Sequence, residues 1–416
     1  MGGIVIVGAG LAGLQAAEAL RSGGWEGSIT LLGSEPSPPY HRPPLSRAWL
    51  AGEVADGTLV MRAPEALANK RIELRCGVGA ERINRERRTV HLSGGEVLGY
   101  TGLVIATGCR PRKLDVPGAR APNVRTLRSL ADARLLREEL QRCREAGRPV
   151  TIIGGGFIGL EIASTARKAG LGVDVLEAMP RLLARALSPQ LADWALALHR
   201  ARGVRVALGA IVQGFTTDAA GRVESVQCGD GSSLPTGLVV VGIGAQPEDA
   251  LARAAGLECV SAGIVVDACS RTADPAIVAA GDCTVRRNTD GSLVRLESVN
   301  NANEQARSAA HALLGIERPF AGTPWFWSDQ HECKIQMAGA STAADLAVAR
   351  GDQGGKAFSL WHFREGSLVG VETVNQPREH LLSRKLLDAG VSPTPEQARD
   401  PAFDLSSLAP TPPRAP

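Results

Sequence analysis

Ile4-Val5-Ile6-Val7-Gly8-Ala9-Gly10-Leu11-Ala12-Gly13 and Val150-Thr151-Ile152-Ile153-Gly154-Gly155-Gly156-Phe157-Ile158-Gly159 follow one plan. Four strand-forming residues lead into glycines spaced G-x-G-x-x-G, and a helix-forming run follows. In such a turn the first glycine makes the tight bend. The second lets the backbone approach a pyrophosphate, and the third lets the helix pack on the strand. The helix N-terminus adds free N–H groups and the positive end of its dipole. One such pattern is a weak signal, but each of these is followed by a second strand that ends near an acid. Glu35 comes after Ile29-Thr30-Leu31-Leu32, and Glu177 after Val173-Asp174-Val175-Leu176. Both lie just beyond the roughly 20-residue offset of a carboxylate that takes a ribose 2′-hydroxyl. Two complete sites predict two dinucleotides, most economically a flavin and a nicotinamide.

A chain of 416 residues has room for about three domains. Its 48 glycines suit many tight strand-to-helix turns. The formal charge of +3 is small for this length, so no nucleic-acid partner is expected. The longest apolar run, around Leu238-Val239-Val240-Val241-Gly242-Ile243, is far too short to span a bilayer. With a strand starting almost at Met1, no leader peptide is expected and the chain reads as cytoplasmic. Cys76, Cys109, Cys143, Cys228, Cys259, Cys269, Cys283 and Cys333 are scattered, without C-x-x-C or metal-ligand spacing. No metal, iron–sulfur centre or disulfide framework is therefore expected.

Along the chain, one domain is interrupted by another. Residues 1–112 hold the first glycine turn and close on the strand Gly102-Leu103-Val104-Ile105 with Ala106-Thr107-Gly108. Residues 113–245 begin with a stretch of helical spacing from Ser129 to Ala146, hold the second glycine turn, and end on Leu238 to Gly244. Ala276-Ile277-Val278-Ala279-Ala280-Gly281-Asp282 then reads as a return, so 246–319 completes the first domain. From about 320 the texture changes to alternating, aromatic-containing segments such as Lys334-Ile335-Gln336-Met337 and Phe358 to Phe363. These predict antiparallel strands of a smaller α+β domain over 320–405. Residues 406–416, with four prolines, read as a disordered tail.

Further segments give the chain a specific resemblance. Pro39-Tyr40-His41-Arg42-Pro43-Pro44-Leu45-Ser46, Ala106-Thr107-Gly108, Gly154 through Glu161, Gly281-Asp282-Cys283, Glu297 through Ala302, Trp325 through Gln330 and Asp400 through Leu405 occur in this order. The chain resembles bacterial FAD-dependent NADH:ferredoxin reductases, the group of putidaredoxin reductase and the reductases of aromatic-ring dioxygenases. More distantly it resembles the glutathione reductase superfamily and apoptosis-inducing factor. The fold implied is α/β: two Rossmann-like dinucleotide-binding domains of the glutathione reductase type, one for FAD and one for NAD, plus the C-terminal α+β domain.

By this resemblance Gly8, Gly10, Gly13, Glu35, Arg42, Thr107, Gly108, Arg125, Asp282 and Val299 serve FAD. Gly154, Gly156, Phe157, Ile158, Gly159, Glu177 and Gly244 serve NADH. Glu177 favours the 2′-hydroxyl over a 2′-phosphate, although Arg181 and Arg185 follow it. The family usually has Leu-Ser-Lys in the proline-rich loop, its lysine paired with a glutamate beside the flavin; here the residues are Leu45-Ser46-Arg47 and Glu161. An arginine keeps the charge but does not yield a proton near neutral pH. Arg47 is thus expected to act electrostatically, with Glu161 as its partner and Trp327 beside the flavin. The implied reaction passes hydride from NADH to FAD and then single electrons to a [2Fe–2S] ferredoxin serving a cytochrome P450 or Rieske oxygenase. Arg62, Arg378, Arg384 and Lys385 are candidates to dock that acidic partner. The alternatives are an NADH-sensing flavoprotein like apoptosis-inducing factor, or a reductase of rubredoxin or monodehydroascorbate. The stretch Pro36–Leu50 has no cysteine, against a single-cysteine peroxidase or NADH oxidase.

Overall fold

The computed structural model describes residues 3–320 and 322–409. The chain divides into two compact units, one of residues 3–42, 55–110 and 245–320, the other of 43–54, 111–244 and 322–409.

The first unit is built on a five-stranded parallel sheet in the order Ile277–Ala279, Gly102–Ile105, Ile4–Val7, Ile29–Gly33, Ile72–Cys76. The chain leaves the central strand Ile4–Val7 to one side and later returns on the other. The first glycine turn therefore lies where the strand order reverses, the crevice at which such sheets take ligands. Both sheet faces are covered, which is why these strands are unbroken apolar runs rather than alternating ones. On one face the helices Leu11–Ser22 and Val299–Leu313 meet through Ala16, Ala17, Ala306, Ala309 and Ala310, all fully buried. Alanines there let the two backbones approach closely. On the other face Ile83, Val90 and Leu92 of an antiparallel three-stranded sheet pack with Ile264 and Val266.

The second unit repeats the plan with the order Val204–Leu208, Val173–Glu177, Val150–Ile153, Leu238–Val241, Val124–Arg125, again all parallel. The predicted helix before it is Leu130–Glu145, opened by a capping box in which Ser129 and Asp132 satisfy each other's backbone N–H groups. Residues 43–54, assigned by sequence to the first domain, pack in this unit. Trp49 is fully buried beneath the Arg137 guanidinium, 3.5 Å from the ring centroid, and Thr165 donates to the Ser46 carbonyl at 2.9 Å.

The same unit contains a five-stranded antiparallel sheet in the order Trp325–Gln330, Cys333–Gly339, Ser367–Val374, Phe358–Arg364, Leu346–Gly351. Trp361, Phe363 and Val371 form its core with Leu386, Ala398 and Leu405. Leu405–Leu408 is a 3-10 turn with Leu405 buried; of the tail read from 406 onward, 410–416 lie outside the described residues.

One buried polar cluster ties the helix Pro189–Ala201 to this sheet. Ser188, its N-cap, donates through hydroxyl and backbone N–H to the fully buried Glu372. Ser341 at 2.7 Å and His362 at 3.0 Å complete the carboxylate's partners. Burial works to raise the pKa of Glu372, but the bond to His362, its charge and the Ser188 donors more than offset this and hold it below the usual carboxylate range. A folded-state pKa below the unfolded one adds stability above the unfolded value, and that contribution is lost as pH falls. Glu372→Ala should therefore cost about 3 kcal/mol near neutrality, where it strands buried donors, and less in acid. Thermal melts from neutral to acidic pH measure this; equal loss at both ends would contradict it.

Candidate functional site

The three glycines of the first turn are not equivalent. Gly8 has φ +112°, and a Cβ there would lie 2.2 Å from the Ala106 carbonyl oxygen. At Gly13 a Cβ would fall 1.8 Å from the Gly8 oxygen. Both are therefore demanded by the fold itself. A Cβ at Gly10 would meet nothing within 4 Å, and no side chain caps the helix it opens. The protein thus gives no steric reason for glycine at position 10; it leaves free space at uncapped N–H groups, as a pyrophosphate requires. The second turn repeats this. Gly154 has φ +106° and a Cβ 2.4 Å from the Gly242 oxygen; at Gly159 the distance to the Gly154 oxygen is 2.3 Å. At Gly156 the nearest atom is 4.0 Å away.

The two acids that follow the turns are held differently. Glu35 accepts from Tyr40 Oη and Arg42 Nη2, both at 2.6 Å, and the guanidinium lies 4.9 Å from the Tyr40 ring centroid. Glu177 accepts the backbone N–H groups of Gly155 (2.6 Å) and Met179 (2.7 Å), which fixes it against its own glycine turn. In the first unit Thr107 donates to the Glu248 carbonyl at 2.6 Å, Gly108 has φ +73°, and Asp282 accepts from the Cys109 thiol at 3.4 Å. Val299 opens the helix Val299–Leu313. Sequence reading missed two residues here. Buried Gln305 receives the Gly281 N–H (2.8 Å) and the Thr284 hydroxyl (2.9 Å), fixing the turn that carries Asp282. Arg295 donates to the Asp282 carbonyl at 3.1 Å, and its buried Nε has no hydrogen-bond partner among the described residues. Arg125, in the second unit, lies 3.7 Å from Glu139, a fully buried carboxylate shared with Arg142 and Arg222.

The second unit brings Arg47, Glu161 and Trp327 together. Glu161 stands one turn along the helix Phe157–Lys168, directly after the second glycine turn. It is 96% buried, so its carboxylate needs partners: it accepts from Ser46 (2.5 Å) and Ser328 (2.6 Å) and pairs with Arg47 Nε at 3.2 Å. Arg47 extends a second arm to Asp329, itself 2.9 Å from Lys334, and its guanidinium lies 5.8 Å from the Trp327 ring centroid. Burial is the largest influence on Glu161 and raises its pKa; Arg47 and the two hydroxyls pull it down without cancelling the shift, and Asp329 adds to the rise. The result is a buried carboxyl held above the usual carboxylate range and paired with a guanidinium. Ser46, Ser328 and Asp329 were not singled out by sequence, though all sit inside quoted motifs.

Elsewhere in the second unit the Phe157 and Phe326 rings are 4.8 Å apart, Ile158 is exposed, and Gly244 has φ +104°. Trp325 lies beneath the Arg384 guanidinium at 4.3 Å and beside His380, whose pKa burial and Arg384 push down to about 4. Arg378, Leu381 and Lys385 are exposed along one stripe of the helix Pro377–Asp388. Arg62, in the first unit, pairs with Glu18 at 2.9 Å. Among the described residues no acid, histidine and cysteine cluster could hold a metal, and no helix is long and apolar enough to cross a membrane.

The glycine geometry separates fold from ligand. Gly10→Ala should leave the melting temperature of the apoprotein unchanged and weaken FAD binding at least about tenfold, whereas Gly13→Ala should disrupt the fold. Calorimetric melting and flavin titration decide this; equal effects of both substitutions on melting would contradict it.

Comparison with known proteins agrees with this architecture. The family model of pyridine nucleotide-disulphide oxidoreductases matches residues 2–306, and the reductase C-terminal model matches 325–409. The chain is 44% identical to rhodocoxin reductase of Rhodococcus erythropolis, over 97% of this chain and 93% of that protein. Its identity to putidaredoxin reductase of Pseudomonas putida is 41%, over 97% and 96%. Among solved structures, the ferredoxin reductase for the CYP199A2 system from Rhodopseudomonas palustris superposes with a TM-score of 0.94 at 40% identity, covering 99% of this chain and all of that one. The covalent putidaredoxin reductase–putidaredoxin complex gives 0.92 at 40% identity, over 98% of each chain. The chain is therefore a member of the pyridine nucleotide-disulphide oxidoreductase family carrying the reductase C-terminal domain, a ferredoxin reductase-type oxidoreductase that works with FAD and NAD(H).

Proposed function

We propose that this chain is a cytoplasmic NADH-dependent reductase of a [2Fe–2S] ferredoxin that feeds a cytochrome P450 or Rieske oxygenase. The observation that carries the reading is the pair of Arg47, on the proline-rich loop, with buried Glu161 on the helix that opens from the nicotinamide-type glycine turn. Support for the acceptor comes from relatives: a rhodocoxin reductase, a putidaredoxin reductase and the reductase component of a biphenyl dioxygenase system.

In this reading Gly8, Gly10, Gly13, Glu35, Arg42, Thr107, Gly108, Arg125, Asp282 and Val299 hold FAD, whose bound flavin supplies the exchange between one hydride and two single electrons. Gly154, Gly156, Gly159, Phe157, Ile158 and Gly244 hold NADH. Glu177, braced by two backbone N–H groups, keeps lone pairs for a ribose 2′-hydroxyl and repels a 2′-phosphate, so NADH is preferred over NADPH. Arg47 presents a permanent positive charge where negative charge accumulates, and Glu161 with Asp329 fixes that guanidinium in place. Any proton exchanged at this position belongs to Glu161, because Arg47 cannot release one. Trp327 lines the same cluster. Arg62, Arg378, Arg384 and Lys385 steer the acidic partner. Of these, Arg378 and Lys385 flank exposed Leu381, a basic stripe with an apolar centre.

Single-turnover kinetics test both halves. Arg47→Ala should slow flavin reduction by NADH about tenfold to a hundredfold with little change in NADH affinity, while Arg47→Lys restores most of the rate. Arg378→Glu with Lys385→Glu should leave that step intact and slow only electron delivery to ferredoxin, most at low salt. Unchanged reduction in Arg47→Ala would remove the electrostatic role.

A further inference from the structure

His199 is fully buried on the helix Pro189–Ala201, and nothing in the proposed reaction uses it. Its partners form a directed chain. Gln330 Nε2 donates to Ser328 Oγ at 3.2 Å, so the Gln330 carbonyl oxygen faces His199 Nε2, 3.0 Å away, and can only accept. That places the His199 proton on Nε2 and leaves Nδ1 an acceptor in the neutral ring. His331 Nε2, 3.2 Å from Nδ1, supplies the donor. Ser328, having accepted from Gln330, turns its own proton to Glu161 at 2.6 Å. Every link thus donates in one direction, from His331 through His199, Gln330 and Ser328 to the Glu161 carboxylate. Ser328, Gln330 and His199 are each fully buried, so breaking one link strands a polar atom without water.

We infer that His199 is a positioning residue for Glu161: through Gln330 it fixes the Ser328 hydroxyl on the carboxylate and so favours the ionised form that pairs with Arg47. Aligned donors polarise one another and stabilise the charge at the end of the chain. The amide of Gln330 carries no proton onward, so the chain orients rather than conducts. It needs His199 neutral, so that Nδ1 stays an acceptor, and its surroundings keep it so; His331 donates from Nε2 in either state. Burial lowers His199, against the pull of Gln330. Burial, then His199 and the charges of Arg202 and Arg167, push His331 down to about 4. Arg202 is itself paired with Glu332. The groups facing Glu161 are Arg47, Ser46, Ser328 and Asp329.

The catalytic consequence rests on the reading of Glu161 as the partner of Arg47 at the flavin; the titration does not. The measurement is an infrared titration of the Glu161 carboxylic-acid carbonyl band in the flavin-loaded protein, assigned by its loss in Glu161→Gln. His199→Phe and Gln330→Met, which keep the volumes but remove the donors, should each raise the midpoint by about one pH unit, a tenfold change. Ser328→Ala, which removes the donor in direct contact, should raise it at least as far. Should His199→Phe not fold, Gln330→Met decides alone. A wild-type midpoint in the folded His199 and Gln330 variants would overturn the proposal, as would an unmoved midpoint in Ser328→Ala. Neither result depends on NADH reducing the flavin, so failure here leaves the reductase reading standing, and failure of that reading leaves the titration valid.

Discussion

A carboxyl buried to 96% must be stabilised by what surrounds it, and in this chain that requirement organises a polar cluster of the second unit. Glu161 draws Arg47 and Ser46 from the proline-rich loop and Ser328 from the antiparallel sheet, two segments far from its own helix in sequence. Losing any one partner leaves an uncompensated charge or a stranded hydroxyl, which is far more costly than losing a surface ion pair. The geometry that holds Arg47 is therefore enforced by folding itself. The same bonds explain why residues 43–54 pack with the second unit although sequence order places them in the first domain.

Two nearly identical strand–turn–helix units recur in this chain because the constraint is the same in each. A tight bend and a close helix–strand contact demand glycine at Gly8, Gly13, Gly154 and Gly159, whereas Gly10 and Gly156 are glycine without any crowding from the protein. The acids differ instead. Glu35 is held by Tyr40 and Arg42 side chains, and Glu177 by backbone N–H groups of its own turn. The two turns thus keep one glycine plan and differ in how the acid that follows is held.

The parallel sheets, both glycine turns and their acids were legible in the sequence because they depend on local rules: apolar runs of strand length, glycine where φ is positive, an acid at a fixed offset. The helix Leu130–Glu145 was legible for the same reason, its spacing and its Ser129 cap being local signals. Ser328, Asp329 and Gln305 were not, because their roles come from bonds across 167, 282 and 24 positions of chain. A serine or glutamine carries no periodic signal of the group it will meet. The histidine chain was invisible for this reason as well: His199 and His331 meet only when a helix of the dinucleotide-binding region packs on the antiparallel sheet. The departure from lysine at Arg47 was readable as a change of chemistry, but its bond to Asp329 needed the fold.

The most direct measurement is anaerobic stopped-flow of the flavin-loaded protein with NADH and, separately, NADPH, followed by mixing with oxidised [2Fe–2S] ferredoxins. NADH should bleach the flavin rapidly and NADPH slowly, and one ferredoxin should bring fast return of the oxidised flavin spectrum. Rapid reduction that leaves a persistent flavin–nicotinamide complex, discharged by no ferredoxin, would contradict the reductase reading.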